Sequence, residues 1–422
     1  MNLFKKKIRG DIRIIASNFM SLTILQAANY ILPLIVLPFL VRILGPDKFG
    51  LVMFAQAMIT FFNVIVDFGF NLSGTREISL AREDKKKLSE LFSSILLIKF
   101  GLIIVGFLLL LIIVELFTRF KIDAQIYYLS FGIVIGQALF PVWFFQGIEK
   151  MKFVTLINIL AKVIFTILIF LAIRNKEDYL LVPLFNSLGF IVAGLIGLGI
   201  SLKHVDFIKP KWDTVKRLFL ESLSLFISNF AVNLYTTCNV FILGIFTGNT
   251  IVGVYSSMEK LILAMKNIYV PLYQALFPWL AKQTEIKQNN IIKKLAPIVF
   301  GVGSLITLTI ILFGKIILSI IYDDDLINSY VIIFKILSFI AVFAALSMLY
   351  NTLYLPAIKK FKTRMIILII GGIINVVLNL FLVKLYGIYG TAFSVVSTEL
   401  ILVVLGFYFF KKYSKNKKII AL

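Results

Sequence analysis

The sequence predicts an all-α polytopic membrane protein with about twelve transmembrane helices, arranged as two six-helix lobes, with both termini in the cytoplasm. Composition is the first observation behind this class. Of the 422 residues, 60% are hydrophobic and 15% are charged, whereas soluble domains are about 45–50% apolar and about 25% charged. A spanning helix takes about 20 residues, so the hydrophobic residues suffice for about twelve spans. The distribution of basic residues between loops and a weak internal repeat support the same class.

Apolar stretches that follow one another along the chain account for this estimate. They cover residues 18–41, 50–72, 91–114, 126–147, 153–173, 179–202, 218–246, 253–280, 295–321, 330–355, 364–384 and 388–410. Basic residues precede the first stretch, and no small-residue cleavage site closes it. We therefore expect a retained cytoplasmic tail and not a cleaved secretory signal.

The charges of the loops predict the orientation of these stretches. With the amino terminus inside, the tails and cytoplasmic loops hold 30 Lys and Arg residues, and the external loops hold 7. An excess of basic residues on the cytoplasmic side is the rule for multi-pass membrane proteins. Most of the formal net charge of +22 therefore reports orientation and contact with anionic lipid headgroups. We expect no nucleic-acid partner.

The two halves of the chain repeat weakly. The matching positions are 148–152 with 358–362, and Gly45 and Gly50 with Gly248 and Gly253. Because each half contains an even number of spans, the halves run in the same direction and form parallel repeats. We expect an amino-terminal lobe of residues 1–210 and a carboxy-terminal lobe of residues 211–422, with the substrate bound between them.

Charged residues inside the predicted spans are candidates for function. A charge near a helix centre costs about 2.5–3.5 kcal/mol on insertion scales, so such residues usually face the bundle interior or a wet cavity. They are Lys99, Lys162, Lys260, Lys266, Lys315 and Lys335, with the carboxylates Asp67, Glu259 and Glu399. The excess of lysines predicts a cationic interior that attracts an anionic substrate and repels lipophilic cations.

Depth within the spans selects the predicted site residues. For substrate binding they are Lys99, Lys162, Lys266, Asn29, Asn229, Asn233 and Arg76, and for ion coupling they are Asp67, Glu259 and Glu399. For each asparagine the alternative is hydrogen bonding between helices, which applies also to Asn375 and Asn379 in the eleventh span.

The sequence lacks the residues that most enzymes and pumps require. His204 is the only histidine and Cys238 the only cysteine, which disfavours a histidine metal site, a Ser-His-Asp triad and an intramolecular disulfide. There is no Walker A motif, no dinucleotide-binding glycine motif and no HExxH motif. We therefore expect no enzyme activity, no cofactor and no metal. Energy for transport would come from an ion gradient, the membrane potential or a downstream sink.

Short motifs concentrated in residues 20–80 resemble those of a known family. The most specific is Asp-Phe-Gly-Phe-Asn-Leu-Ser at 67–73, followed by Thr-Arg-Glu at 75–77. Other matching segments lie at 26–33, 42–50, 143–147 and 209–211. In these motifs, and in length and topology, the chain resembles the bacterial O-antigen and polysaccharide repeat-unit flippases of the multidrug/oligosaccharidyl-lipid/polysaccharide exporter superfamily.

This resemblance implies a fold like that of multidrug and toxin extruders, in the bacterial cytoplasmic (inner) membrane. It implies that an oligosaccharide repeat unit on undecaprenyl pyrophosphate moves by alternating access from the cytoplasmic to the periplasmic leaflet, through a cationic central cavity. The implied polymer is O-antigen, capsule or exopolysaccharide. Besides the lipid-linked substrate and membrane lipids, a polysaccharide polymerase and a chain-length regulator are candidate partners. Asp67 and Arg76 are the predicted site residues that lie inside the most specific motif.

Three alternatives stay open at this point. The first is an ion-coupled antiporter of the multidrug type, and the second is a flippase for the lipid-linked peptidoglycan precursor. The third is a membrane-bound polymerase or ligase for the same glycan. A polymerase should carry a long polar external loop, and the longest predicted external loop covers only residues 115–125.

Overall fold

A computed structural model describes the backbone of residues 2–415, and the side chains of that range except residues 2–31, 232, 235, 236, 274, 275, 278 and 415. Every regular element within residues 2–415 is a helix. Many of these helices are long and apolar enough to cross a membrane. The predicted all-α, polytopic class is therefore confirmed.

The first half of the chain forms helices α1 to α8. They are α1 (Asn2–Asp67), α2 (Phe70–Ala81), α3 (Lys85–Leu116), α4 (Thr118–Lys121), α5 (Ala124–Leu139), α6 (Val142–Gly147), α7 (Met151–Ala172) and α8 (Leu181–Ser201). Helix α1 bends at Gly45, where φ is 68° and ψ is 168°. Asp84 begins α3 by accepting hydrogen bonds from the backbone N–H groups of Lys86 and Lys87, which satisfies two free donors of the first turn.

The second half forms helices α9 to α18. They are α9 (Trp212–Phe246), α10 (Asn249–Asn267), α11 (Tyr269–Ala281), α12 (Glu285–Tyr322), α13 (Asp325–Ser329), α14 (Val331–Ser338), α15 (Ile340–Ser347), α16 (Leu355–Ala357), α17 (Phe361–Tyr386) and α18 (Ile388–Lys415). Between α15 and α16 the segment Met348–Tyr354 is a π-helix, a form that is rare and frequent at functional sites.

Among the described residues, nine helical segments are long and apolar enough to span a membrane. They are Leu32–Ala81, Lys85–Leu116, Ala124–Gly147, Met151–Ala172, Lys176–Ser201, Glu285–Tyr322, Val331–Ala357, Phe361–Tyr386 and Ile388–Ser414. In the region of predicted spans seven and eight, α9 contributes only the shorter apolar segment Thr237–Phe246, and α11 has only 13 residues. The count of twelve spans and the cytoplasmic position of both termini stay predictions.

The outer faces of these helices suit a lipid environment. In the most apolar windows of Met151–Ala172 and Glu285–Tyr322, only 22% of the residues are buried inside the protein. Large side chains such as Leu171 and Leu305 are 63% and 65% exposed. Apolar surface of this extent is not stable in water, so these faces contact lipid.

Contacts divide the chain into two compact units. The first comprises Met1–Val36 and Ala55–Phe230, and the second comprises Leu37–Phe54 and Ala231–Leu422. Helices α1 and α9 therefore each contribute residues to both units. The lobes predicted from the sequence, 1–210 and 211–422, stay predictions.

The core of the first unit is aromatic around α6. Trp143, Phe144 and Phe145 are fully buried, and Phe92 of α3 packs on Trp143 and Phe144 with ring centroids 5.6 and 5.1 Å apart. A Cβ on Gly147 would lie 2.5 Å from the Ile78 side chain of α2. The family-like segment 143–147 thus packs α6 against α2 and α3.

One turn occurs in each unit with the same backbone geometry. The matching hydrogen bonds run from the N–H of Lys150 to the carbonyl of Phe145 and from the N–H of Lys360 to the carbonyl of Leu355, both 2.8 Å long. Glu149 and Lys359 both adopt a φ of 60°, which is unusual for residues other than glycine. Glu149 with Lys359 and Lys150 with Lys360 are matching positions of the predicted repeat of 148–152 with 358–362. The shared geometry of the turn therefore supports that repeat.

Two bends meet in the second unit at positions that also repeat. A Cβ on Gly50 would overlap the carbonyl oxygen of Asn249, and a Cβ on Gly253 would overlap that of Pro46. The repeat that matches Gly50 with Gly253 also matches Pro46 with Asn249. The bend of α1 and the start of α10 therefore pack against each other symmetrically. Only glycine permits so close a backbone approach. We name Pro46, Gly50, Asn249 and Gly253 the glycine crossing.

Candidate functional site

The first unit contains an ion pair where α1 ends, between a buried lysine and a half-buried carboxylate. Lys99 Nζ on α3 lies 3.6 Å from Asp67 Oδ1, and the two side chains are 4% and 25% exposed. The sequence predicts Lys99 for substrate binding and Asp67 for ion coupling, so the structure brings together one member of each group. A carboxylate beside a buried ammonium offsets part of the cost of desolvating it.

The turn that follows α1 contains the most specific family-like motif. Phe68 and Gly69 adopt φ values of 48° and 81°, a left-handed conformation that is costly for phenylalanine. Phe68 stacks on Phe219 and Phe226 of α9, with ring centroids 4.4 and 4.9 Å apart. A Cβ on Gly69 would lie 2.8 Å from the Leu225 side chain. This packing stabilises the turn and fixes where the helix that bears the carboxylate ends.

Helix α2 and the start of α9 are joined by polar contacts around a small cavity. Arg217 Nη1 lies 3.0 Å from Glu77 Oε2 and 3.2 Å from Glu221 Oε2, and the hydrogen bond with Glu77 raises the pKa of Arg217. A cavity of about 360 Å³ is lined by Leu72, Ser73, Arg76, Glu77, Glu221 and Leu225. The side chain of Arg76 is 75% exposed. The predicted substrate residue Arg76 therefore lies at this cavity and not beside Lys99.

The second unit contains a shorter ion pair. Lys266 Nζ in the last turn of α10 donates a hydrogen bond of 2.7 Å to Glu399 Oε1 of α18. Their side chains are 17% and 3% exposed. Here too the sequence predicts one residue for substrate binding and the other for ion coupling. Each unit thus contains one lysine–carboxylate pair at predicted membrane depth.

Buried polar side chains connect three helices by hydrogen bonds, and one of them, Thr398, is next to Glu399 in the sequence. The hydrogen bonds run from Asn379 Nδ2 to Asn239 Oδ1 at 3.0 Å, from Thr391 Oγ1 to Asn379 Oδ1 at 3.0 Å, and from Asn375 Nδ2 to Thr398 Oγ1 at 3.2 Å. None of these side chains is more than 3% exposed. We name Asn239, Asn375, Asn379, Thr391 and Thr398 the polar belt. It links α9, α17 and α18 by the interhelical hydrogen bonds expected in membrane bundles.

Sequence reasoning missed three members of the polar belt. Asn239, Thr391 and Thr398 lie in apolar stretches, where a single short polar side chain has the same sequence pattern whether it packs or binds. The spacing of Asn375 and Asn379 on one face of a helix was the available signal. It indicates a polar face but not the partners of that face.

Glu259 is not a member of either ion pair. Its side chain is 7% exposed, and it accepts a hydrogen bond of 3.3 Å from the hydroxyl of Tyr255, four residues earlier on α10. Lys266, on the same helix, turns instead to Glu399. The shared helix therefore does not make Glu259 the ion-pair partner of Lys266.

The other predicted residues lie at separate places in the described chain. Lys162 is half-buried on α7. Asn229 and Asn233 are half-buried on α9, the first in the part that belongs to the first unit and the second in the part that belongs to the second. The side chain of Asn29 lies outside the described residues. The roles of these residues stay predictions.

Comparison with known proteins gives the family. Residues 15–284 match the model of a family described as polysaccharide biosynthesis protein. A relative from Escherichia coli (strain K12), named "Putative O-antigen transporter", is 30% identical over 387 residues, which cover 90% of this chain and 93% of the relative. A relative of the same name from Shigella dysenteriae is 27% identical and covers 92% of this chain and 98% of its own length.

Solved structures with the same fold are membrane transporters. An inward-facing multidrug resistance MATE family transporter of the MOP superfamily matches with a TM-score of 0.71 at 14% identity, over 92% of this chain and 95% of that one. The lipid II flippase MurJ in an inward closed conformation matches with a TM-score of 0.65 at 17% identity, over 97% and 91%. These matches confirm the predicted extruder-like fold. Because the family model matches more than half of this chain, the chain belongs to the family of polysaccharide biosynthesis proteins.

Proposed function

We propose that this protein flips an oligosaccharide repeat unit, linked to undecaprenyl pyrophosphate, from the cytoplasmic to the outer leaflet of the bacterial inner membrane. The polymer class is O-antigen, capsule or exopolysaccharide. The names of the relatives support a role as an O-antigen transporter. Family membership and fold support a membrane transporter and not an enzyme.

The two lysine–carboxylate pairs, in each of which one side chain is buried and the other half-buried, are the observation on which the proposal depends. A pyrophosphate and a polar glycan cannot cross hydrocarbon unaided, because burying an unpaired charge costs too much. The pairs Lys99–Asp67 and Lys266–Glu399 place ammonium groups at predicted membrane depth without adding net charge. A phosphate oxygen can take the place of the carboxylate beside each lysine.

Exchange of partners also gives the carboxylates a role. When a phosphate binds Lys266, Glu399 loses the ammonium that faces it, which favours uptake of a proton or another cation by this carboxylate. Asp67 changes in the same way when Lys99 binds a phosphate. Asp67 and Glu399 are therefore our candidates for coupling substrate movement to an ion, and alternating access would move the substrate between leaflets.

Two other functions share the fold. Multidrug antiport requires a site for lipophilic cations, which the excess of lysines over carboxylates in the predicted spans disfavours. Flipping of a lipid-linked peptidoglycan precursor uses the same phosphate chemistry, so it differs from our proposal only in the glycan. The identity of the lipid-linked sugar that accumulates without the protein separates the two flippases.

The test is a clean deletion of the gene in its native host, followed by extraction and mass analysis of lipid-linked sugars. We expect single repeat units on the lipid carrier to accumulate and surface polymer to be lost. A plasmid copy of the gene should restore export. A copy with Lys315→Ala, which alters an exposed lysine of α12, should restore it as well. Lys266→Ala should not restore it, and Lys266→Arg should restore it in part. Normal surface polymer in the deletion strain would contradict the proposal.

A further inference from the structure

The start of α17 and the end of α18 form a basic surface in the second unit. Its cations are Lys359, Lys360, Lys362, Arg364, Lys411 and Lys412. Five of these side chains are exposed, and Arg364 is half-buried. We name these six residues the α17–α18 basic surface.

Aromatic rings lie beneath three of the ammonium groups of this surface. The cation–ring distances are 5.0 Å for Lys360 over Tyr413, 4.6 Å for Lys411 over Phe407 and 5.8 Å for Lys412 over Phe409. Thr363 Oγ1 and the Tyr413 hydroxyl lie 2.9 Å apart, which joins the two helices at this end. Cation–π contacts restrain lysine side chains that would otherwise move freely.

Among the described residues, no carboxylate neutralises these cations. No ion pair of 4.0 Å or less joins any of the six to a carboxylate in the described part of the chain. Arg364 Nε is buried and has no hydrogen-bond partner among the described residues. A cluster of restrained cations with no carboxylate partner among the described residues can bind an anion from outside the protein.

The corresponding end of the first unit differs in this respect. There Arg82 pairs with Glu149 at 2.9 Å and Lys85 with Asp206 at 2.9 Å. Glu149 and Lys359 are the equivalent positions of the repeated turn, with the same φ of 60°. The second unit thus has a cation where the first has the carboxylate that neutralises its neighbour.

The position of the basic surface indicates the source of the anion. Helices α17 and α18 are both membrane-span candidates, so their adjoining ends lie near the membrane interface, on the side predicted to be cytoplasmic. Phe361 and Tyr408 are each 58% exposed there, and aromatic side chains are enriched at interfaces. Phospholipid headgroups are the anions present at that depth.

We propose that the α17–α18 basic surface binds the phosphate groups of anionic phospholipids of the cytoplasmic leaflet. The guanidinium of Arg364 presents donors that match phosphate oxygens, and the surrounding lysines supply charge. The exposed aromatic rings contact the glycerol and upper acyl region. This site does not depend on the proposed transport function.

The test measures lipid binding by the full-length purified protein. Its unfolding temperature is recorded in detergent while dioleoyl phosphatidylglycerol is titrated, with dioleoyl phosphatidylcholine as the uncharged comparison. The triple variant Lys360→Ala, Arg364→Ala, Lys411→Ala should bind phosphatidylglycerol about fivefold more weakly for each cation removed. The control is Lys384→Ala at the other end of α17, where Nζ lies 5.3 Å from the Phe246 ring, and it should bind as the parent does.

Two results would overturn the proposal. In the first, phosphatidylglycerol stabilises the parent no more than phosphatidylcholine does, and stabilisation by inorganic pyrophosphate in that case would assign the surface to the transported substrate. In the second, Lys384→Ala weakens binding as much as the triple variant does. If the triple variant does not insert, the three single variants replace it, and Arg364→Lys should weaken binding less than Arg364→Ala.

Discussion

At the scale of single residues, buried charge constrains this protein most strongly. Lys99 and Lys266 each lie beside a carboxylate at predicted membrane depth. The depth of each residue within its predicted span was enough to select all four paired residues as candidates. It was not enough to pair them, because Lys266 and Glu399 lie on different helices, 133 residues apart. Pairing depends on how helices pack, which hydropathy does not report.

The second ion pair leads to a prediction about stability. In Lys266→Ala the Glu399 carboxylate, only 3% exposed, loses the ammonium that faces it. Removing one partner of a buried pair costs about 3–5 kcal/mol in the free energy of unfolding. Adding Glu399→Gln should recover most of this loss, because the buried negative charge is then removed as well. The free energy of unfolding of the single and double variants, from denaturing-detergent titration, measures the effect.

Lys315→Ala is the matched control for this cycle, since Lys315 is an exposed lysine of a spanning helix. Its free energy of unfolding should change by no more than about 0.5 kcal/mol. If the losses of Lys266→Ala and Glu399→Gln simply add in the double variant, the two side chains do not interact. Additive losses would therefore contradict an ion pair between Lys266 and Glu399.

At the scale of helices, the repeated bends organise the second unit. The sequence repeat located Gly50 and Gly253, yet it did not indicate that each would pack on the other's bend. Breaks within a span were harder to predict than repeats. The stretch predicted as one span over 330–355 corresponds to the single span candidate Val331–Ala357, but it consists of α14, α15, the π-helix and α16, because hydropathy depends on residue type and not on which backbone groups bond.

The glycine crossing leads to a prediction at this scale. A Cβ on Gly253 would overlap the backbone at Pro46, whereas a Cβ on Gly248 would meet no atom within 4 Å. Gly253→Ala should therefore lower the free energy of unfolding by about 1–3 kcal/mol, the usual cost of overpacking. Gly248→Ala should leave it nearly unchanged. Unfolding temperatures of the two variants in detergent provide the comparison, and equal values would show that the close approach does not constrain the fold.

At the scale of the whole molecule, composition and loop charge were sufficient to predict the class. Few charged residues in a long apolar chain allow only a polytopic helical protein, and motifs near the amino terminus indicated the family. The grouping of residues into units was less accessible. Contacts place Leu37–Phe54 with the second half and the start of α9 with the first, since packing does not follow chain order.

Movement of a lipid-linked oligosaccharide between leaflets by this protein can be measured in vesicles. The purified protein is reconstituted with a lipid-linked repeat unit that bears a fluorophore on its sugar, and a membrane-impermeant reductant is added outside. We predict that the reductant bleaches only the outer-leaflet fraction in protein-free vesicles and nearly all of the fluorophore when the protein is present. Lys266→Ala should bleach like the protein-free vesicles. Equal bleaching with and without the protein, under imposed proton and sodium gradients as well, would contradict the account.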